Sequence, residues 1–312
     1  MFDITGKRFL FLLISEALIL IGIISLVVFP LKPGIEFSSG SMMTVSFAQE
    51  VEEVDQGELK QELVNLGYAN AIIQRTGEGN DFLIRTRELT GEDKAALESA
   101  LAARFGSLTE REFYSVSPRV AGETVENAAI AVAVAAVGIL LYITWAFRRM
   151  PRPLHYGTCG IIALVHDVVV VVGIFCILGA IMDWEINLMF ITGVLAVIGY
   201  SINNTVVVFD RIRENLTRGI SPDFEVVVNT SLVETLSRSL NTSLTTIFVV
   251  LALLLFVGAS IQNFAMVLLI GIVTGTYSSL CIAPTLLIVW ERREWGRLVQ
   301  WLPLPRAKAR GA

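Results

Sequence analysis

"FLFLLISEALILIGIISLVVF", residues 9–29, is the first long apolar stretch of the chain, and whether it is kept or cut away decides what the rest can be. A helix needs about 20 apolar residues to cross a hydrocarbon layer, and this run has them. A secretory leader has a shorter apolar core, about 7–15 residues, and a small-residue cleavage site. Here no A-x-A-like site precedes the "PLKPGIEF" that follows. The spacing therefore predicts a retained anchor. Its one interior acid, Glu16, lies two turns from the near end and is expected to reach the interface or pair with a neighbour.

Five more stretches have the same character: residues 125–147, 157–181, 187–208, 236–258 and 264–290. With 54% of the 312 residues hydrophobic and only 17% charged, the composition fits an integral membrane protein rather than a soluble domain. Bases stand before the first span (Lys7, Arg8), after the second (Arg148, Arg149, Arg152), after the fourth (Arg211, Arg213, Arg218) and after the sixth (Arg292, Arg293, Arg297). The alternate loops "MDWEIN" and "GASIQN" carry none. By the positive-inside rule both termini are cytoplasmic and the segment between spans one and two faces the outside. Most acids lie between residues 50 and 126, so the charge asymmetry reads as topology and not as a nucleic-acid surface.

That outer segment has its own period. "SMMTVSF" alternates as a strand, and "QGELKQELVNLGY" has helical spacing that ends at Gly67. "AIIQRT" and "DFLIRTR" are strands joined by "GEGN", a hairpin signal. "TGEDKAALESALAARFG" opens on Thr90 as N-cap with Asp93 three residues on, a variant of the capping box, and closes on Gly106. "EREFYSVS" is the last strand. The order βαββαβ predicts a ferredoxin-like α+β domain. The fold class expected is thus a polytopic α-helical membrane protein of six transmembrane helices, with this extracytoplasmic domain between helices 1 and 2. Its parts are residues 1–30 (tail and first helix), 31–124 (outer domain), 125–291 (helices 2–6) and 292–312 (cytoplasmic tail).

Several chemistries lack a signature. There is no GxxxxGK[ST] loop, HExxH or GxSxG, so nucleotide hydrolysis and peptidase chemistry have no local support. Cys159, Cys176 and Cys281 lie inside apolar runs and suggest neither disulfide nor metal site. No enzyme activity, cofactor or metal is expected, and any energy source must come from elsewhere.

A folded domain between the first and second of six helices is similar to half of a resistance-nodulation-division (RND) transporter. The resemblance sharpens in "GIEFSSG" after span one, "SVSPRVAGE" before span two, "ALVHDVVVVVG" in span three, "VIGYSINNTVVVFDRIREN" (residues 197–215) at the end of span four, "ETLSRSLNTSLTT" entering span five and "GIVTGTYSSLCIAP" in span six. In that order they resemble the SecD/SecF family of protein-export membrane subunits, on its SecF side. The resemblance implies a partner, SecD, completing a twelve-helix unit in the cytoplasmic membrane beside the SecYEG channel, with SecA, YajC and YidC as further candidates and translocating polypeptide as client. It also implies use of the proton, or sodium, motive force. The alternative is an RND-type exporter half for small molecules or lipids, although this outer domain is small for one.

Two departures stand out. Glu36 replaces the usual Asp of the first motif. In the family pattern GYSxNDTVVVFDRIRE the aspartate falls on Asn204, and that carboxylate is implicated in proton conduction. An amide cannot take up and release a proton at physiological pH. Proton transfer at this position is lost, or the residue has been substituted, or the role has moved.

The remaining polar groups in the spans are candidates for such a path. Asp167, near the middle of span three, is either a coupling acid or a neutral, hydrogen-bonded one. His166 beside it reads first as a packing histidine with a satisfied ring, the alternative being a place on the ion path. The resemblance places Arg238 with the conduction site; the alternative is a cation snorkelling at the interface, and if buried its candidate acceptors are Asp167 and the Asn204 carbonyl. Asn203, Asn241, Thr242 and Ser243 read first as helix contacts, as do Gly271, Gly275, Thr276, Ser278 and Ser279. Asp210, Arg211, Arg213 and Glu214 alternate in sign past span four, as solvated topology markers or as a docking and gating motif.

Overall fold

The computed structural model describes residues 3–48, 54–75, 80–182, 184–256 and 259–295. The "GEGN" turn falls mostly outside the described residues, as does nearly all of the C-terminal tail. Two units emerge: Lys32–Ala131 with Glu185–Leu188, and the remainder, Met1–Leu31, Val132–Trp184 and Met189–Ala312.

In the first unit, a short helix α2 (Ile35–Ser38) leads into β1 (Gly40–Phe47), followed by α3 (Gln56–Asn65), β2 (Ile72–Arg75), β3 (Asp81–Thr86), α4 (Gly91–Phe105) and β4 (Leu108–Val116). The sheet order is β2-β3-β1-β4 and every neighbouring pair is antiparallel, the ferredoxin-like arrangement that the sequence order predicts. Because side chains alternate across a strand, Met43, Val45 and Phe47 of β1 share one face with Phe82 and Ile84 of β3. Leu59 and Leu63 of α3 and Leu97, Leu101 and Phe105 of α4 close over that face. The capping box forms as read: the Thr90 hydroxyl accepts from the Asp93 N–H and the Asp93 carboxylate from the Thr90 N–H. Gly106 ends the helix at φ +90. The entry to β1 is tight, with Ser39 at φ +63 and Gly40 at φ +131.

Among the described residues, six helices are long and apolar enough to cross a membrane, in the places the sequence indicates. They are α1 (Arg8–Val28), α5 (Pro118–Ala146), α6 (Pro153–Met182), α7 (Leu188–Arg218), α8 (Phe224–Phe256), and a last span made of α9 (Ala259–Tyr277), a π-helical turn (Ser278–Ile282) and α10 (Ala283–Glu291). The π turn has a local cause. Pro284 has no N–H and its ring crowds the carbonyl four residues back, so the regular ladder cannot continue through that point.

α6 and the last span are the most buried, whereas α1 and α5 present rows of exposed apolar side chains such as Ile21, Ile24, Val134 and Leu141, as a lipid-facing surface requires. Glu16 is exposed on α1. At one end of the bundle Arg8 is buried between Glu225 (2.7 Å) and Glu294 (2.9 Å), and Arg292 bonds Asp223 at 2.8 Å. The Arg292 guanidinium holds the Asp223 carboxyl below the usual carboxylate range. All three cysteines are free.

Candidate functional site

Asp167 is 1% exposed near the middle of α6. An acid so deeply placed in a membrane helix needs polar company, and it has three partners. The hydroxyls of Ser201 on α7 and Ser278 in the π turn both donate to its Oδ2, at 2.6 and 2.7 Å. His166 Nδ1 lies 3.1 Å from Oδ1. The arrangement serves either protonation state: hydroxyls that donate to a carboxylate can turn and accept from the acid, and imidazole can donate or accept by its tautomer.

Three helices must approach closely for this, and small residues let them. Along α7 and α9 three contacts recur in steps of four residues: Gly193 with Val267, Val197 with Gly271, and Ser201 with Gly275. A Cβ on Gly193 would stand 2.8 Å from Val267 Cγ1, and one on Gly271 would overlap Val197 outright. The Gly271 and Gly275 pair is therefore a close helix contact. It has a second effect, since it sets the distance at which Ser278, one turn on, reaches Asp167. Ser279 turns away, its hydroxyl bonding the Thr276 carbonyl at 3.0 Å.

His166 departs from the satisfied packing histidine. Its Nδ1 meets Asp167, but Nε2 is buried with no hydrogen-bond partner among the described residues. The ring of Tyr277 is 6.2 Å away, and the Tyr277 hydroxyl donates to the Phe11 carbonyl at 2.8 Å. Asn204 is also buried, 3% exposed, and its Nδ2 has no partner among the described residues. Asn203 is exposed.

Arg238 does not join the buried acid; of the two places the sequence leaves open for it, it takes the exposed one. It is exposed, and it lines a groove of about 280 Å³ with Val207, Asp210, Arg211, Glu214, Glu234 and Thr235. Both Asp167 oxygens are already taken by His166, Ser201 and Ser278. The reason lies in the face of α8: Thr235, Ser239 and Ser243, four apart, are buried, and Glu234 and Arg238, each one residue off that row, fall on the exposed side of the helix. Asn241 and Thr242 are exposed, while Ser243 accepts from Tyr200 at 3.1 Å and from Thr276 at 2.6 Å.

The alternating charges after span four pair with one another and with α8: Asp210 with Arg213 (2.6 Å), Arg211 with Glu214 (2.5 Å) and Glu234 (2.7 Å), and Arg218 with Glu214 (2.6 Å). Sequence reasoning missed Ser201 altogether and read Ser278 only as a packing residue.

Comparison with known proteins agrees with this architecture. Residues 96–293 match the family described as protein export membrane protein SecD/SecF, C-terminal, and residues 24–51 match the SecD/SecF GG motif, which covers the tight entry to β1. A protein translocase subunit SecF of Thermobaculum terrenum is 43% identical over 96% of this chain and 96% of its own. One from Anaerolinea thermophila is 40% identical over 95% and 96%. The crystal structure of SecDF, a translocon-associated membrane protein from Thermus, superposes with a TM-score of 0.81 at 31% identity, covering 94% of this chain and 39% of that one. This chain, an integral membrane protein of six apolar helices and a four-stranded α+β unit, belongs to the SecD/SecF family of protein-export membrane proteins.

Proposed function

We propose that this chain is the SecF-type half of an auxiliary complex of Sec protein export, and that Asp167 carries the proton whose passage drives it. The chain acts mechanically, without catalysing a covalent reaction. SecD supplies the other half: a SecDF chain of Bacillus subtilis is 35% identical to 94% of this chain, which accounts for 38% of its length. The complex stands beside the SecYEG channel, with SecA, YajC and YidC as further contacts. Both termini face the cytoplasm and the α+β unit faces the emerging polypeptide, in keeping with the bases that flank alternate spans.

The observation that carries the proton role is the triple coordination of Asp167. Position 204 holds an amide and cannot titrate, whereas a carboxylate 1% exposed, bonded to two serines and a histidine from three helices, can exchange a proton and register it in helix packing. The proposal is tested by reconstituting the protein with SecD and the channel in vesicles and following preprotein transport. Stimulation should vanish when a protonophore collapses the gradient. Stimulation unchanged by that collapse overturns the reading.

A further inference from the structure

The loop between α6 and α7 is built into the α+β unit, to which Glu185–Leu188 belong. The Gly34 N–H donates to the Ile186 carbonyl at 2.7 Å and the Ile186 N–H donates to the Lys32 carbonyl at 2.9 Å, which pairs Pro33 with Ile186 as a short parallel bridge. A Cβ on Gly34 would stand 2.8 Å from that Ile186 oxygen, so the approach requires glycine.

Arg85 fixes the loop from the side. It lies on β3 beside Met42 of β1, on the sheet face opposite α3 and α4, and is 7% exposed. Its guanidinium forms a salt bridge with Glu185. Burial pushes the Arg85 pKa down from its ordinary value, and the charge of Glu36 opposes that shift. Both groups are largely buried, at 8% and 19% side-chain exposure, so parting them is costly and the bridge resists opening.

The loop is covalently continuous with α6 on one side and α7 on the other. α6 carries Asp167 and α7 carries Ser201, while Ser278 comes from a span that the loop does not touch in sequence. A helix transmits an axial displacement with little loss, and Asp167 is about 22 Å along α6 from its Met182 end at the usual rise. A displacement of α6 or α7 would alter the bonds that Ser201 and Ser278 give to Asp167.

We infer that residues 185–188 form a strap through which the α+β unit moves α6 and α7 together, and that the Arg85 and Glu185 pair locks that strap. The inference rests on the proton role proposed for Asp167. Arg85 and Glu185 act as positioning residues: they change the surroundings of the acid without touching it.

The test uses the full-length protein reconstituted with its SecD partner and the channel. Arg85→Glu, Glu185→Arg and the double reversal are compared, with Asp167→Asn in parallel. Amide hydrogen exchange at residues 32–36 and 185–188 reports the strap, and preprotein transport with and without a gradient reports coupling. Each single reversal should speed exchange and cut the gradient-dependent increment about fivefold or more, the usual lower range for a coupling between sites, with gradient-free transport unchanged. The double reversal should restore both.

The strap is overturned if a single reversal opens the loop and leaves the increment intact, if the increment falls with exchange unaltered, or if the double reversal fails to restore it. Should the charge reversals not yield folded protein, Ile186→Pro removes the N–H given to Lys32 while sparing the ion pair, and the same readouts decide. Loss of the increment in Asp167→Asn alone refutes the strap and leaves the proton role standing. Retention of it in Asp167→Asn refutes the proton role itself.

Discussion

Gly275 and Ser201 stand so close that a Cβ on the glycine would lie 2.9 Å from the serine Cβ. Something must shift to admit it, and what lies beside it is the hydroxyl that donates to Asp167. Gly275→Ala should therefore lower the unfolding free energy by about 1–3 kcal/mol, the usual cost of overpacking. Gly199, on the same helix as Ser201, has nothing within 4 Å of its Cβ position. Gly199→Ala should be neutral or stabilising by up to about 1 kcal/mol, as expected for relief of a helical glycine. Thermal unfolding of the two variants in detergent gives the comparison; equal midpoints would remove the seam as a spacing device.

A second expectation concerns the entry to β1. Ser39 holds φ +63 with ψ 165, a region that a residue with a Cβ enters at a cost. Ser39→Gly should stabilise the α+β unit by about 1 kcal/mol. Gly40 is different, because at φ +131 a Cβ would also meet the Thr86 carbonyl at 2.6 Å. Gly40→Ala should destabilise, and hydrogen exchange of β1 amides should rise in that variant and fall in Ser39→Gly. Rates unchanged in both would contradict the strain.

The capping box of α4 has a pH signature. Hydrogen bonds from Thr90 hold the Asp93 carboxyl below its ordinary value. A carboxyl with a depressed folded-state pKa contributes stability above its unfolded pKa and loses it as pH falls through the folded one. Protection of the first-turn amides of α4 should thus be flat through neutral pH and drop only below about pH 4, the ordinary range of an aspartate. Thr90→Ala should cost about 1 kcal/mol at neutral pH and abolish that acid step. A step that persists in Thr90→Ala would assign it to another group.

Position 204 gives a fourth test. The buried Asn204 amide makes no hydrogen bond through Nδ2 among the described residues, so its removal breaks nothing there. Asn204→Ala should leave gradient-dependent transport near the wild-type level, whereas Asp167→Asn should abolish it. Loss in Asn204→Ala would return the working position to span four.

The α+β order was legible because each boundary has a local chemical marker: Thr90 and Gly106 frame α4, and alternation marks the strands. Span ends were less legible. Hydropathy falls away near residue 208, yet α7 runs to Arg218, carried on by the Asp210–Arg213 and Glu214–Arg218 pairs at helical spacing. α8 likewise starts at Phe224, well before its apolar part, where Ser231 and Thr235 bond back to carbonyls one turn earlier.

Of the candidate site, Asp167 announced itself as an acid inside an apolar run, but its serines did not. They are 34 and 111 residues distant in sequence, and a hydroxyl in a span looks the same whether it bonds its own helix or another. The available signal was indirect: Gly271 and Gly275 four apart, then Pro284 forcing a change of helical pitch at Ser278. Both readings of Arg238 stayed open in the sequence because hydropathy gives depth along a helix and not direction around it.

The proton role proposed for Asp167, held by Ser201, Ser278 and His166, is addressed most directly by infrared difference spectroscopy of the reconstituted complex across a pH step. The protonated-carboxyl band should appear and disappear with pH in the wild type, be missing in Asp167→Asn, and shift in Ser278→Ala, where one donor to Oδ2 is gone. An identical difference spectrum in wild type and Asp167→Asn would contradict the account.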